Sequence, residues 1–215
     1  MLYFFLFHLT ILAIFHSVLS QSDDNYPVVQ VALLGDSLFY KPTHMWDLLR
    51  KIQDRVPSYN LNISVFARDS NTIQLVRDNQ LGKCLQSRPQ IVLMLWDTDV
   101  SNTFFDELSN QQLQYFVGNY TENLVYVINS VLQSGAYMAF GGPILLGEGW
   151  LLNKDVWKSK SEPLNYFMNL NINIANKLGV DYVNVREAFI ARIPFFWSLF
   201  MGSKFFIFKI YICHY

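Results

Sequence analysis

Gly35-Asp36-Ser37-Leu38 follows directly on the apolar, β-branched run Val28–Leu34. A serine just past a strand end sits on a turn. There its hydroxyl can project from the sheet edge and its backbone N–H can face a developing oxyanion. Gly35 lets the chain turn tightly. The hydroxyl still needs a base to become a nucleophile. The same residues also suit a plainer role, in which Asp36 and Ser37 cap the next helix. Two other segments stand in equivalent places: Ala67–Thr72 after Asn62–Phe66, and Asp97-Thr98-Asp99 after Ile91–Trp96.

The elements that position these residues read from periodicity. Val28–Leu34, Asn62–Phe66, Ile91–Trp96, Gly135–Phe140 and Val180–Val185 are short apolar runs with the character of buried strands. Between them, residues 43–55, Asn71–Cys84 (ending near Gly82), Leu113–Leu132 and Asn165–Leu178 carry apolar residues at helical spacing, with Gly179 as a stop. Strands alternating with helices predict a three-layer α/β/α sandwich around a five-stranded parallel sheet, flavodoxin-like in plan. Such sheets place sites in the loops beyond the carboxyl ends of the strands, and the three segments above fall there.

LLGDSL after the first strand resembles the first block of the GDSL/SGNH serine esterases, a lipase and acylhydrolase family. The later blocks follow in order. Arg68-Asp69-Ser70-Asn71-Thr72 lies where the second block has a glycine, with Ser70 aligned to it. Trp96-Asp97-Thr98-Asp99 lies where the third reads Gly-x-Asn-Asp, with Thr98 at the Asn position. Gly141-Gly142-Pro143 with Gly147-Glu148 is similar to the loop after the fourth strand, and residues 179–194 look like the fifth strand and its turn. The resemblance covers about residues 28–202 and marks a divergent branch. It implies an ester hydrolysed through an acyl-Ser37 intermediate. Ser37, Ser70 and Thr98 would hold the oxyanion, with Asp36 and Asp99 in support. The implied substrate is a small ester, an acylated sugar or a lipid, with no metal and no organic cofactor.

That family ends in Asp-x-x-His, whose His is the base. Here no Asp follows Asp181. His214 stands at a plausible distance with Tyr211 three residues before it, which makes it a weak candidate for the base. His44 falls on the helix after Ser37, where an exposed or packed role is expected. Loss of a triad base removes most of the rate enhancement, so the chain is expected to be inactive or severely crippled. After Gly202 the tail SKFFIFKIYICHY lacks caps, turn residues and a polar face. Residues 203–215 are therefore expected to lie outside the ancestral fold, as a retained intron or a gene-model error would; a hydrophobic C-terminal anchor is the alternative, although thirteen residues with two lysines are short for a span.

Composition bounds the rest. The chain has 215 residues and is 52% hydrophobic, enough for one domain with a real core. Net charge is −1, with no basic run to suggest nucleic acid. Two cysteines, Cys84 and Cys213, exclude a disulfide framework and a C-x-x-C metal site, and two separate thiols are expected. Residues 1–20 read as a signal peptide cleaved after Ser20. An uncleaved anchor is the rival, since about 20 apolar residues span a bilayer. Either way the body, residues 21–202, is expected in the secretory pathway, with a membrane partner only if the leader is retained. The sequons at Asn62 and Asn119 agree.

Two rival functions remain open from the residues. Asp97-Thr98-Asp99 can hold a divalent cation, as in an Asp-x-Asp glycosyltransferase or an aspartyl phosphatase. The first would want a longer chain, and the second a Gly-Thr where Val100-Ser101 stands. A non-catalytic module could instead bind a lipid or sugar among Trp46, Trp96 and Trp150, although such tryptophans more often belong to a core.

Overall fold

A computed structural model describes residues 27–40, 50–96, 98–101, 107–143 and 154–184, without the side chains of Ser37, Leu38, Ser101 and residues 154–162. The leader 1–20, His44, Trp46, Asp97, Gly147-Glu148, Trp150 and the tail 203–215 with His214 lie outside the described residues.

Five strands form the expected sheet: β1 (Val28–Gly35), β2 (Asn60–Ala67), β3 (Ile91–Leu95), β4 (Tyr137–Gly141) and β5 (Asp181–Val183). Their order is β2-β1-β3-β4-β5 and every pairing is parallel. The register aligns the carboxyl ends. Gly35 pairs with both Ala67 and Leu95, Leu95 with Gly141, and Gly141 with Val183. The chain leaves β1 for β2 on one side and then crosses to β3 on the other. That reversal makes the ends of β1 and β3 the switch point, where open sheets of this kind place a crevice.

The helices are α1 (Ser37–Tyr40), α2 (residues 50–55), α3 (Ile73–Leu75), a π-helical turn (Val76–Gln80), α4 (Leu81–Gln86), α5 (Thr98–Ser101), α6 (Asn110–Gln133) and α7 (Lys154–Leu178). Two apolar clusters lie on the two faces of the sheet. Val29, Val31, Leu33, Ile91 and Leu93 pack with Phe39, Ile52 and Val56. Ala32, Leu34, Val92 and Met94 pack with residues from α3 to α7. α6 buries Leu124, Val127, Ile128 and Val131 along one stripe, each contributing roughly 1.5–3 kcal/mol. Its start is a capping box: Ser109 Oγ accepts from the Gln112 N–H at 3.3 Å, and Gln112 Oε1 accepts from the Ser109 N–H at 2.8 Å.

Two helix boundaries differ from the sequence expectation. α7 begins at Lys154 and runs through Pro163. Proline removes one backbone bond, which argues for a boundary, but the helix continues because Leu164, Phe167, Ile174 and Ala175 pack on the sheet. Gly82 sits inside α4, which runs on to Gln86; its missing side chain faces open space. Gly179 does end α7, at φ +69°. Among the described residues no helix is long and apolar enough to cross a membrane. Cys84 is buried and free, and burial pushes its thiol up to about 12; Cys213 lies outside the described residues.

Candidate active site

Close approach of backbones shapes the crevice. Gly35 has φ +152°, and a Cβ there would overlap the Leu95 carbonyl oxygen. Gly142 has φ +129°, and a Cβ there would overlap the Trp96 carbonyl oxygen. The ends of β1 and β4 thus close on β3 where only hydrogen fits.

Asp36 joins the first and third loops. It is 1% exposed. Its N–H donates to Leu95 O at 3.4 Å, and its carbonyl accepts from Phe39 and Tyr40 at 3.2 Å each. Its Oδ2 accepts from the Thr98 N–H at 3.1 Å and the Thr98 hydroxyl at 3.0 Å. Thr98 is itself buried, and its hydroxyl hydrogen goes to Asp36. As an oxyanion donor, Thr98 would have to turn away from that carboxylate. The Ser37 backbone starts α1 one residue further on.

Asp99 joins the third and second loops. Its Oδ2 accepts from the Ile73 N–H at 2.6 Å. Burial pushes its carboxyl up to about 7; the Asp36 charge adds to the rise, and the Ile73 N–H opposes it. Ser70 is exposed and has φ +56°, the left-handed region that favours glycine. That is the backbone a glycine would supply at this position. Thr72 caps α3, its Oγ1 accepting from the Leu75 N–H at 3.3 Å. The Arg68 N–H donates to Gly35 O at 3.3 Å, and Asn71 Nδ2 to the same oxygen at 3.5 Å. The three loops singled out in the sequence therefore meet at one end of the sheet, tied by Asp36, Asp99 and Asn71.

Several buried polar residues at this end were not singled out from sequence. Asn171 is fully buried. Its Oδ1 accepts from Tyr120 Oη at 3.0 Å, and its Nδ2 donates to Gly142 O at 2.8 Å. Tyr182 Oη donates to the same carbonyl at 2.7 Å. Burial drives the Tyr120 phenol well above its ordinary value. Asn71 and Gln80 are also buried. The signal was present: Gln80 and Asn171 each interrupt the apolar stripe of a helical segment.

Other candidates are not brought to this crevice. Trp96 is 1% exposed, with ring centroids 6.3 Å from Tyr120 and 5.6 Å from Phe140. It is a core residue, the commoner role for such a tryptophan, and not part of a ligand platform. Asn62 lies on β2 with Nδ2 donating to Gln30 Oε1 at 2.7 Å, and Asn119 lies mid-α6, its Oδ1 accepting from Asn123 Nδ2 at 3.2 Å. Among the described residues no three His, Cys, Asp or Glu side chains gather as a metal site. An open cleft of about 750 Å³, lined in part by Arg88, Gln90, Tyr137 and Val180, lies at the opposite, amino end of the strands.

No protein-family model and no curated protein matches the sequence. Solved structures do match. A putative GDSL-like lipase from Parabacteroides merdae aligns with TM-score 0.63 at 14% identity, over 83% of this chain and 88% of its own. The acetyl xylan esterase AlAXEase aligns with TM-score 0.58 at 16% identity, over 79% and 84%. A lipase/acylhydrolase from Enterococcus faecalis aligns with TM-score 0.55 at 12% identity, over 76% and 79%. With its β2-β1-β3-β4-β5 parallel sheet and flush strand ends, the chain has the fold of the GDSL/SGNH hydrolases.

Proposed function

We propose that this chain is a secreted acylhydrolase-type protein whose ester substrate meets Ser37 in the crevice between β1 and β3. The observation that carries the reading is the junction of three loops at the carboxyl end of the sheet, with Asp36 bonded to Thr98 and Asp99 to Ile73. Ser37 follows Asp36 directly. Its hydroxyl oxygen would attack the ester carbonyl carbon and pass its proton to a base. The alcohol would leave with a proton, and water would then release the acid from the acyl-serine. N–H groups at Ser37 and Ser70 would hold the oxyanion, with Thr98 in support once its hydroxyl turns. Small esters, acylated sugars and lipids are the candidate substrates; the acetyl xylan esterase and lipase neighbours favour this range.

The base is the weak member. These 215 residues hold no Asp after Asp181, and His214 is the one histidine beyond it. Of these 215 residues by themselves we therefore expect turnover at least about a thousandfold below that of an esterase with a complete triad. The experiment is hydrolysis of p-nitrophenyl acetate by the full chain, its Ser37→Ala variant and its His214→Ala variant. Slow turnover abolished by Ser37→Ala supports the reading, and turnover unchanged by that substitution overturns it. Export with removal of residues 1–20 is checked by the intact mass of the deglycosylated protein.

A further inference from the structure

We propose that Gln80 is a positioning residue that holds the Ser70 loop against the end of β1; this rests on the esterase reading of the crevice. The π-helical turn Val76–Gln80 interrupts an otherwise α-helical segment from Ile73 to Gln86. Such wide turns alter the direction of the residues that follow them. Here Gln80 has φ −117°, and the consecutive residues Gln80 and Leu81 are both buried. Leu81 joins the core beneath the helix. Gln80 reaches the strand ends.

The amide orientation that satisfies its neighbours joins two strand ends and a loop. The nitrogen donates to Gly35 O at 3.2 Å and Phe66 O at 2.8 Å. The oxygen accepts from the Arg68 N–H at 3.2 Å and from Asn71 Nδ2. Gly35 lies two residues before Ser37; Arg68 and Asn71 flank Asp69 and Ser70. One buried side chain therefore adds to the direct Arg68 and Asn71 bonds to Gly35 O in holding the nucleophile turn against the loop proposed to donate to the oxyanion. Gln80 touches no reacting atom in this scheme, and its effect passes through those two backbones. A buried amide suits the place because both donors and acceptors face it; an apolar side chain would take away the donors to Gly35 O and Phe66 O and the second acceptor for Arg68 and Asn71.

The test compares Gln80→Met and Gln80→Glu with the unaltered full chain, by amide hydrogen exchange and by p-nitrophenyl acetate kinetics. In Gln80→Met, exchange over residues 66–73 should quicken at least about tenfold while α6 keeps its protection. kcat should fall about ten- to hundredfold with KM within about twofold, as misplacement of a reacting group requires. Gln80→Glu should recover turnover at acidic pH only, where the protonated carboxyl again offers one donor and one acceptor. Unchanged exchange over residues 66–73 overturns the assignment. So does loss of protection spreading through α6, which would mark Gln80 as general core support. If the unaltered chain shows no Ser37-dependent turnover, the esterase reading fails, and with it the catalytic meaning of Gln80; the exchange experiment still decides the clamp.

Discussion

Asp99→Asn should stabilise the protein at alkaline pH and do little in acid. In the folded chain the Asp99 carboxyl titrates at about 7, against 3.8 for an ordinary Asp, chiefly because it is buried. The folded state therefore keeps a proton that the unfolded chain releases. Between about pH 4 and pH 7 the native state binds more protons, so stability falls as pH rises. Above the folded value both states are ionised, and the penalty stays at its full size. An interval of about three units corresponds to roughly 4 kcal/mol; partial exposure of the residue brings this to about 2–3 kcal/mol. Asparagine carries no charge at any pH, and its amide oxygen can still accept from the Ile73 N–H. The charge assistance lost from that bond is already contained in the value of about 7. The expected gain at pH 8 is about 2–3 kcal/mol, or about 4–12 °C in Tm for a domain of this size. At pH 4 the two proteins should melt within a few degrees of each other. Thermal melts of both proteins at pH 4, 6 and 8 measure the difference. An offset constant across that range would refute the assignment of a raised carboxyl at Asp99.

Three further substitutions probe the crevice. Gly35→Ala places a methyl group on the Leu95 carbonyl oxygen; we expect a loss of about 3 kcal/mol or more, or no folded product, read by urea unfolding. Asn171→Leu leaves the buried Tyr120 hydroxyl without its acceptor and removes a donor from Gly142 O; a loss of about 2–4 kcal/mol is expected, and a loss under about 0.5 kcal/mol would show that the network contributes little. Ser70→Gly relieves a left-handed φ of +56°; a change between neutral and about 1 kcal/mol stabilising is expected in the same assay, and clear destabilisation would contradict that backbone.

The strands were legible in the sequence because a parallel strand covered on both faces is a continuous apolar run bounded by turn residues. Val28–Leu34 and Ile91–Trp96 are such runs, and both became strands within a residue of expectation. Helix ends were less legible. A local preference of one residue, such as Pro163 or Gly82, is small against the burial of a whole apolar stripe, so α7 and α4 run through both. The π-helical turn left no local signature at all, since it depends on fitting Gln80 and Leu81 to two different surroundings.

For the candidate site, sequence alone determined which loops could carry chemistry. Alternating strands and helices imply a parallel sheet, and parallel strands put the loops Gly35–Ser37, Arg68–Thr72 and Thr98–Asp99 at one end; the order of the strands came from the structure. Sequence alone also showed that within these 215 residues no Asp follows Asp181, because identity needs no coordinates. Tertiary structure alone decided what the polar side chains do there. That Asp36 holds Thr98, that Asp99 holds Ile73 and keeps a proton to about pH 7, and that Asn171 and Tyr182 meet on Gly142 are pairings between residues far apart in the chain. Hydrogen-bond partners and burial set those properties. Both arise from distances of a few ångströms between separate elements, which no local pattern of residues encodes.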